Sequence, residues 1–211
     1  GCIDSVVINQ PSAPIVTSPS VLNNVLCNAD TSALAAASTL GGTSPYAFAW
    51  SNGANTDTAS LSAGTWYVTI TDANGCFELD SIIVTEPNAL VTTIDSTNNI
   101  SCFGLTDGEA FASATGGTTP YSYAWNSAQT TASISGQSAG AYQITITDAN
   151  GCFDTASTTV IEPDSISNTF TIANVSCNGG SDGYMIANPM GGTGAYAFAW
   201  NNSATTDSIG G

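Results

Sequence analysis

Thr147-Asp148-Ala149-Asn150-Gly151-Cys152 repeats, residue for residue, the stretch Thr71-Asp72-Ala73-Asn74-Gly75-Cys76 that lies 76 positions upstream. Apolar residues alternate ahead of each copy. Val68 and Ile70 alternate with Thr69 and Thr71, and Ile144 and Ile146 with Thr145 and Thr147. A period of 2 in Val, Ile and Thr is strand periodicity. The Asn-Gly that follows closes a hairpin, because Gly accepts positive φ and Asx side chains bond their own backbone. A strand, a tight turn and a cysteine therefore recur as a unit.

The recurrence extends outward. Trp50, Trp125 and Trp200 are spaced by 75 and 75, as are Cys27, Cys102 and Cys177. Gly41-Gly42-Thr43 returns at Gly116 and Gly191, and Glu86-Pro87 returns as Glu162-Pro163. The unit is about 75 residues. The boundaries read as 1–14, the tail of an earlier repeat, then 15–88, 89–164 and 165–211, the last truncated. Boundaries at the Gly-Cys positions (1–74, 75–150, 151–211) are the alternative.

Within a repeat, Tyr46, Phe48 and Trp50 alternate with Ala47 and Ala49, and Tyr121, Tyr123 and Trp125 with Ser122 and Ala124. Turn signals interrupt every 8–12 residues, and no segment has helical periodicity. In the second repeat the strands are expected at 90–98, 108–115, 120–126, 128–131, 132–136, 141–148 and 152–161. Seven short strands predict an all-β, immunoglobulin-like sandwich. Identical linkers predict tandem repeats in an extended array.

Composition excludes much. Among 211 residues there are 16 Asp and Glu and no Lys, Arg or His, a net charge of −16. Without cations the chain has nothing to set against nucleic-acid phosphates. It can build no Walker lysine, Ser-His-Asp triad, His metal ligand or side-chain salt bridge. Lys-Asn isopeptide bonds are excluded too. No run of 18 apolar residues occurs, so no helix here inserts in a membrane. Apolar residues at 42% supply packed cores. With no basic partner, every carboxylate is expected to face water, sugars or cations.

The pattern Gly-Gly-Thr-x-Pro-Tyr-x-Tyr-x-Trp, then Ala-Gly-x-Tyr-x-Ile-Thr-Ile-Thr-Asp-Ala-Asn-Gly-Cys and a closing Glu-Pro, resembles the SprB-type repeat. That family occurs in giant cell-surface adhesins of gliding Bacteroidota and related secreted proteins. The resemblance implies a secreted, extracellular stalk or filament segment, exported by type IX secretion and acting in surface attachment or gliding. The first repeat departs at one place: Asp107-Gly108 and Asp182-Gly183 align with Ser32-Ala33.

The aromatic triplets (Tyr46, Phe48, Trp50; Tyr121, Tyr123, Trp125; Tyr196, Phe198, Trp200) lie on one strand face and read as core rather than as sugar-stacking platforms. Trp66, aligned with Ala141, stands outside the repeat and reads as a private surface contact. Asp72 and Asn74, with Asp148 and Asn150, are the weak calcium candidates, since hard cations want several oxygens. No full Asp-x-Asp-x-Asp-Gly ligand run accompanies them, and otherwise no metal or cofactor is expected. Catalytic carboxylate pairs would have to recur in near-identical modules, so no enzyme is expected.

The cysteines recur twice per repeat without CxxC spacing and read as disulfides. Pairing between neighbours gives Cys2–Cys27, Cys76–Cys102 and Cys152–Cys177, through a hairpin folded at Pro14, Ala89 and Asp164–Ser165. Pairing within a sandwich gives Cys27–Cys76 and Cys102–Cys152. The first is favoured, because loops after the first and sixth strands lie at opposite ends, beyond the ~7 Å Cα separation a disulfide tolerates. Seven of the twelve Asp precede Ser or Thr and then an apolar residue or Thr. This resembles the O-glycosylation signal of exported Bacteroidota proteins and nominates Ser5, Thr58, Ser81, Ser96, Thr155, Ser165 and Ser208. The expected role is a rigid, disulfide-braced spacer whose partners are neighbouring repeats of the chain, with lateral copies in a filament. The alternative is a weak carbohydrate- or surface-binding module acting by multivalency, with surface polysaccharide as partner.

Overall fold

The computed structural model describes residues 13–210. They gather into two compact units. One holds the residues up to Val91 with Ala114–Tyr121 and Thr147–Asp154; the other holds Thr92–Ser113, Ser122–Ile146 and the residues from Thr155 on. Every regular element among them is a strand.

The first repeat forms β1 (Val16–Asn23), β2 (Ala33–Leu40), β3 (Ala47–Trp50), β4 (Thr58–Leu61), β5 (Gly64–Thr71) and β6 (Phe77–Val84). They make two three-stranded antiparallel sheets, ordered β1-β2-β4 and β3-β5-β6. One core lies between them. Ala33, Ala35 and Ala37 point inward from β2, with Ala59 and Leu61 from β4. Trp50, Val68, Ile70 and Val84 meet them from the other sheet. Mostly small residues on one side face larger ones on the other, a complementarity that lets two sheets approach closely. Each fully buried Val or Ile contributes about 1.5–3 kcal/mol relative to exposure.

The second repeat follows the same plan with β7 (Val91–Asn98), β8 (Gly108–Thr115), β9 (Ser122–Trp125), β10 (Ser133–Gln137), β11 (Gly140–Thr147) and β12 (Phe153–Val160). Its sheets are β10-β8-β7 and β12-β11-β9. Seven strands were expected and six form; 128–131 is not a strand. Those residues wrap the indole instead. Trp125 donates from Nε1 to the Thr131 carbonyl at 3.0 Å, Ala128 turns at φ 67°, and its N–H returns to the Trp125 carbonyl. Trp50 donates to Thr56 and Trp200 to Thr206 in the same way. A buried indole N–H needs an acceptor, and this loop exists to supply one.

The triplets face inward as the alternation requires. Trp50 and Trp125 are buried, while Tyr46, Phe48, Tyr121 and Tyr123 are half-buried. The tyrosine hydroxyls hold the turn. Tyr46 donates to the Gly41 carbonyl at 2.6 Å, Tyr121 to Gly116 at 2.5 Å and Tyr196 to Gly191 at 2.6 Å. The third repeat contributes β13 (Ser167–Ala173), β14 (Tyr184–Met190) and β15 (Ser208–Gly210) in one sheet. There Tyr196 is exposed and Phe198 and Trp200 are half-buried. Among the described residues no counterpart of β5–β6 or β11–β12 covers them.

The Gly-Gly turn grips the linker that enters each repeat. Gly42 N–H donates to Ala13, Gly117 to Asn88 and Gly192 to Asp164. At the glycine before each, φ is +75°, +75° and +80°, and an added Cβ would lie 2.0, 1.9 and 2.2 Å from a linker carbonyl oxygen. Only glycine permits both the left-handed backbone and this approach.

Candidate functional site

The β11–β12 hairpin turns through Asp148-Ala149-Asn150-Gly151-Cys152, and Asp148 organises that tip. Its Oδ1 accepts from the N–H groups of Asn150 and Cys152, both at 2.9 Å, and its Oδ2 from Thr118 N–H at 2.8 Å. Asp72 repeats the arrangement with Asn74, Cys76 and Thr43. Both carboxylates are buried, at 5% and 6% exposure. The expectation that every carboxylate faces water, sugars or cations therefore fails at these two. Backbone N–H donors replace hydration, which removes the cost of burying an unpaired charge. Burial pushes both carboxyls up, and the surrounding N–H donors override it, holding each below its ordinary value.

These bonds also describe the calcium candidates. The oxygens of Asp72 and Asp148 are directed at the chain's own N–H groups. Asn74 and Asn150 turn their amide NH2 groups to Thr43 Oγ1 and Thr118 Oγ1, at 2.9 and 3.0 Å. Among the described residues no group of three or more Cys, Asp or Glu side chains is placed to hold a metal ion.

Cys27 bonds to Cys152, with Cα atoms 5.6 Å apart and a sequence separation of 125. Both favoured and alternative pairings are corrected: Cys27 joins neither Cys2 nor Cys76, and Cys152 joins neither Cys177 nor Cys102. Cys76, Cys102 and Cys177 are exposed free thiols, and Cys2 lies outside the described residues. The reason is topological. Chain reversal at 87–89 would have set Cys76 opposite Cys102, but β6 pairs with β5 and β7 with β8. The linker passes on instead of folding back. The hairpin tip of one repeat then meets the loop after β1 of the repeat before it.

That loop is held by its own contacts. Ala29 N–H donates to Glu86 Oε2 at 2.6 Å, and Asn28 Nδ2 to the Pro87 carbonyl at 3.2 Å. Asn150 Nδ2, besides bonding Thr118, donates to the Leu26 carbonyl at 3.0 Å. One side chain so ties the tip to the loop beside the disulfide. In the second repeat Gly104 N–H donates to Glu162 at 3.1 Å, so the Glu-Pro grip recurs. Ser101 gives its N–H and hydroxyl to Asp107, and Ser176 gives its N–H to Asp182. The Ser101 and Ser176 donors hold both carboxyls below their ordinary values. Asp-Gly is thus a brace for the cysteine loop, absent from the first repeat where Ser32-Ala33 stands.

Sequence reasoning missed the roles of Glu86 and Asn150, although both recur, as Glu162 and Asn74. It also misplaced Trp66. The register aligns Trp66 with Tyr142, since 71 matches 147 without a gap. Trp66 Nε1 donates to the Ser62 carbonyl and Tyr142 OH to the Ser138 carbonyl, each four residues back. Trp66 is half-buried against the core and belongs to the repeat. Of the glycosylation candidates, Ser81, Ser96, Thr155, Ser165 and Ser208 are exposed, Thr58 is half-buried, and Ser5 lies outside the described residues.

The SprB repeat family model matches residues 94–130 and 169–205. Two segments of the chain match the SprB repeat. Such repeats occur in cell-surface adhesins of Bacteroidota. No curated protein matches the sequence. Among solved structures the chain is similar to surface layer protein SbsC, domains 4–9, at 11% identity and a TM-score of 0.28. The match covers 95% of this chain and 38% of that one.

Proposed function

We propose that these SprB repeats form a structural segment of a secreted cell-surface adhesin, each repeat a spacer laced to the next by a disulfide. The observation that carries the reading is the Cys27–Cys152 bond, made between the loop of one repeat and the hairpin tip of the following one. A disulfide of this kind persists in an oxidising, extracellular setting. The linker grip and the Glu86 contact act on the same joint, so tension on the linker is shared by backbone, carboxylate and covalent bond. Export, attachment or gliding, and glycosylation of the exposed serines and threonines belong to the same reading. The module needs no catalytic group for this role.

Single-molecule pulling from the chain termini tests it. Oxidised, the segment between the cysteines, a sequence separation of 125, is locked. Reduction should release about 400–450 Å of additional contour length, at roughly 3.3–3.6 Å per residue. Equal contour lengths with and without reductant would refute the laced-spacer reading.

A further inference from the structure

The turn that carries Cys152 into the joint also carries a reactive pair, Asn150-Gly151. Glycine has no side chain to shield its backbone nitrogen, and nothing lies within 4 Å of where a Cβ of Gly151 would stand. Both residues are exposed, so water reaches them. A backbone nitrogen so open attacks the side-chain amide carbon of the residue before it once the two are brought together. For that the Asn150 side chain must swing toward Gly151.

The closed joint holds that side chain elsewhere. Asn150 Nδ2 donates to the Leu26 carbonyl and to Thr118 Oγ1, both at 3.0 Å. The Gly151 N–H, the attacking group, donates to the Asp148 carbonyl at 3.1 Å. Of these three bonds, the one to Leu26 crosses to the loop after β1, one residue before Cys27 and its disulfide. Opening the disulfide frees the loop, and the Leu26 acceptor leaves with it. Asn52 and Asn74 also precede glycines of positive φ, +90° and +84°. Their amides bond within their own repeat, Asn52 Nδ2 to the Ser60 carbonyl at 3.1 Å and Asn74 Nδ2 to Thr43 Oγ1 at 2.9 Å. Neither bond passes through the disulfide loop.

We infer that Asn150 is a deamidation site that the closed joint protects, and that deamidation of an opened joint bars its closure. The Gly151 nitrogen bonds to Asn150 Cγ, the Cγ–Nδ2 bond breaks, and the proton from the Gly151 nitrogen leaves with the amide as ammonia. One water then opens the resulting succinimide at either carbonyl, leaving aspartate or isoaspartate. The net change is one water consumed and one ammonia released, with no oxidant or reductant. Either product disturbs the joint. A carboxylate only accepts hydrogen bonds, so the donor to Leu26 is lost and two oxygens face each other. Isoaspartate also adds a methylene to the main chain ahead of Cys152, inside the turn where Asp148 Oδ1 holds the N–H groups of Asn150 and Cys152 at 2.9 Å. The added length displaces Cys152 from Cys27, and a disulfide permits only a narrow range of Cα separations around the 5.6 Å found here. The inference stands on the geometry of the Cys27 joint and not on the spacer reading.

The test ages the intact 211-residue chain in mildly alkaline buffer, oxidised in one arm and reduced in the other. Aspartate and isoaspartate at each Asn-Gly are then mapped by mass spectrometry after digestion. Reduction should speed conversion at Asn150 about fivefold, the factor that one neutral hydrogen bond is worth, and leave Asn52 and Asn74 at their oxidised rates. The Cys27→Ser chain opens the joint without reductant and should match the reduced arm at Asn150. In a second measurement the Asn150→Asp chain is reduced and returned to a glutathione redox buffer. It should recover less of the Cys27–Cys152 disulfide than the parent chain does. Equal rates at Asn150 in the two arms, the same acceleration at all three asparagines, or full recovery of the disulfide by the Asn150→Asp chain would each overturn the proposal.

Discussion

Replacing Gly116 with alanine should destabilise the fold far more than the same change at Gly53. Both glycines have positive φ, +75° and +90°, so both changes place a side chain in left-handed backbone, at about 1–2 kcal/mol. Nothing lies within 4 Å of an added Cβ at Gly53. At Gly116 the new Cβ falls 1.9 Å from the Ala89 oxygen and 2.8 Å from its carbon, and both are backbone atoms that cannot rotate away. Relief requires moving the linker, an overpacking cost of about 1–3 kcal/mol. That movement weakens the 2.8 Å bond from Gly117 N–H to Asn88, worth about 1 kcal/mol. The expected loss is about 3–6 kcal/mol for Gly116→Ala and about 1–2 for Gly53→Ala. Urea unfolding followed by far-ultraviolet circular dichroism measures both. Equal losses would refute the linker grip, and with it the reason Gly-Gly recurs at 41, 116 and 191.

Trp125→Phe removes the indole N–H that holds the Thr131 carbonyl and should cost about 2–4 kcal/mol in urea unfolding, through the lost bond and the cavity. Asp72, Asp107, Asp148 and Asp182 all have lowered pKa values. Their contribution is therefore complete above the unfolded value near 3.8 and is lost as pH falls through the lower folded values. Melting temperature should hold flat at neutral pH and drop on acidification below about pH 4. Chelator should leave the melting temperature unchanged, because the Asp72 and Asp148 oxygens already accept backbone N–H bonds; unfolding on chelation would restore the calcium reading. Tyr121→Phe should destabilise by about 1 kcal/mol by orphaning the Gly116 carbonyl, read as a shift in urea midpoint.

Strand alternation and the 75-residue period were legible because a half-buried sheet writes its faces into the sequence with a period of 2. Val68-Thr69-Ile70 and Ile144-Thr145-Ile146 gave the inner faces of β5 and β11 without error. The segment 128–131 was not legible. Ala128-Gln129-Thr130-Thr131 was given a strand by its place between two strands, but the Thr131 carbonyl serves the Trp125 indole, and indole acceptors leave no mark on hydrophobic pattern. The cysteine pairing failed for a related reason. Spacing between Cys76 and Cys102 suited a hairpin, but whether a linker folds back or passes on depends on the Gly-Gly grip, which is tertiary. The buried Asp72 and Asp148 were hidden by a rule about charge pairs that counts cations and overlooks backbone N–H donors. The recurrence of Glu86-Pro87 and Asn74-Gly75 was visible, and the joint they build was not, because its two halves lie in different repeats.

The disulfide joint between repeats is tested most directly by non-reducing peptide mapping of the oxidised chain, using a protease that cuts at aromatic or acidic residues since no Lys or Arg is present. The account predicts a linked pair of peptides carrying Cys27 and Cys152, with Cys76, Cys102 and Cys177 recovered as thiols. A linked Cys76–Cys102 or Cys27–Cys76 pair would contradict it.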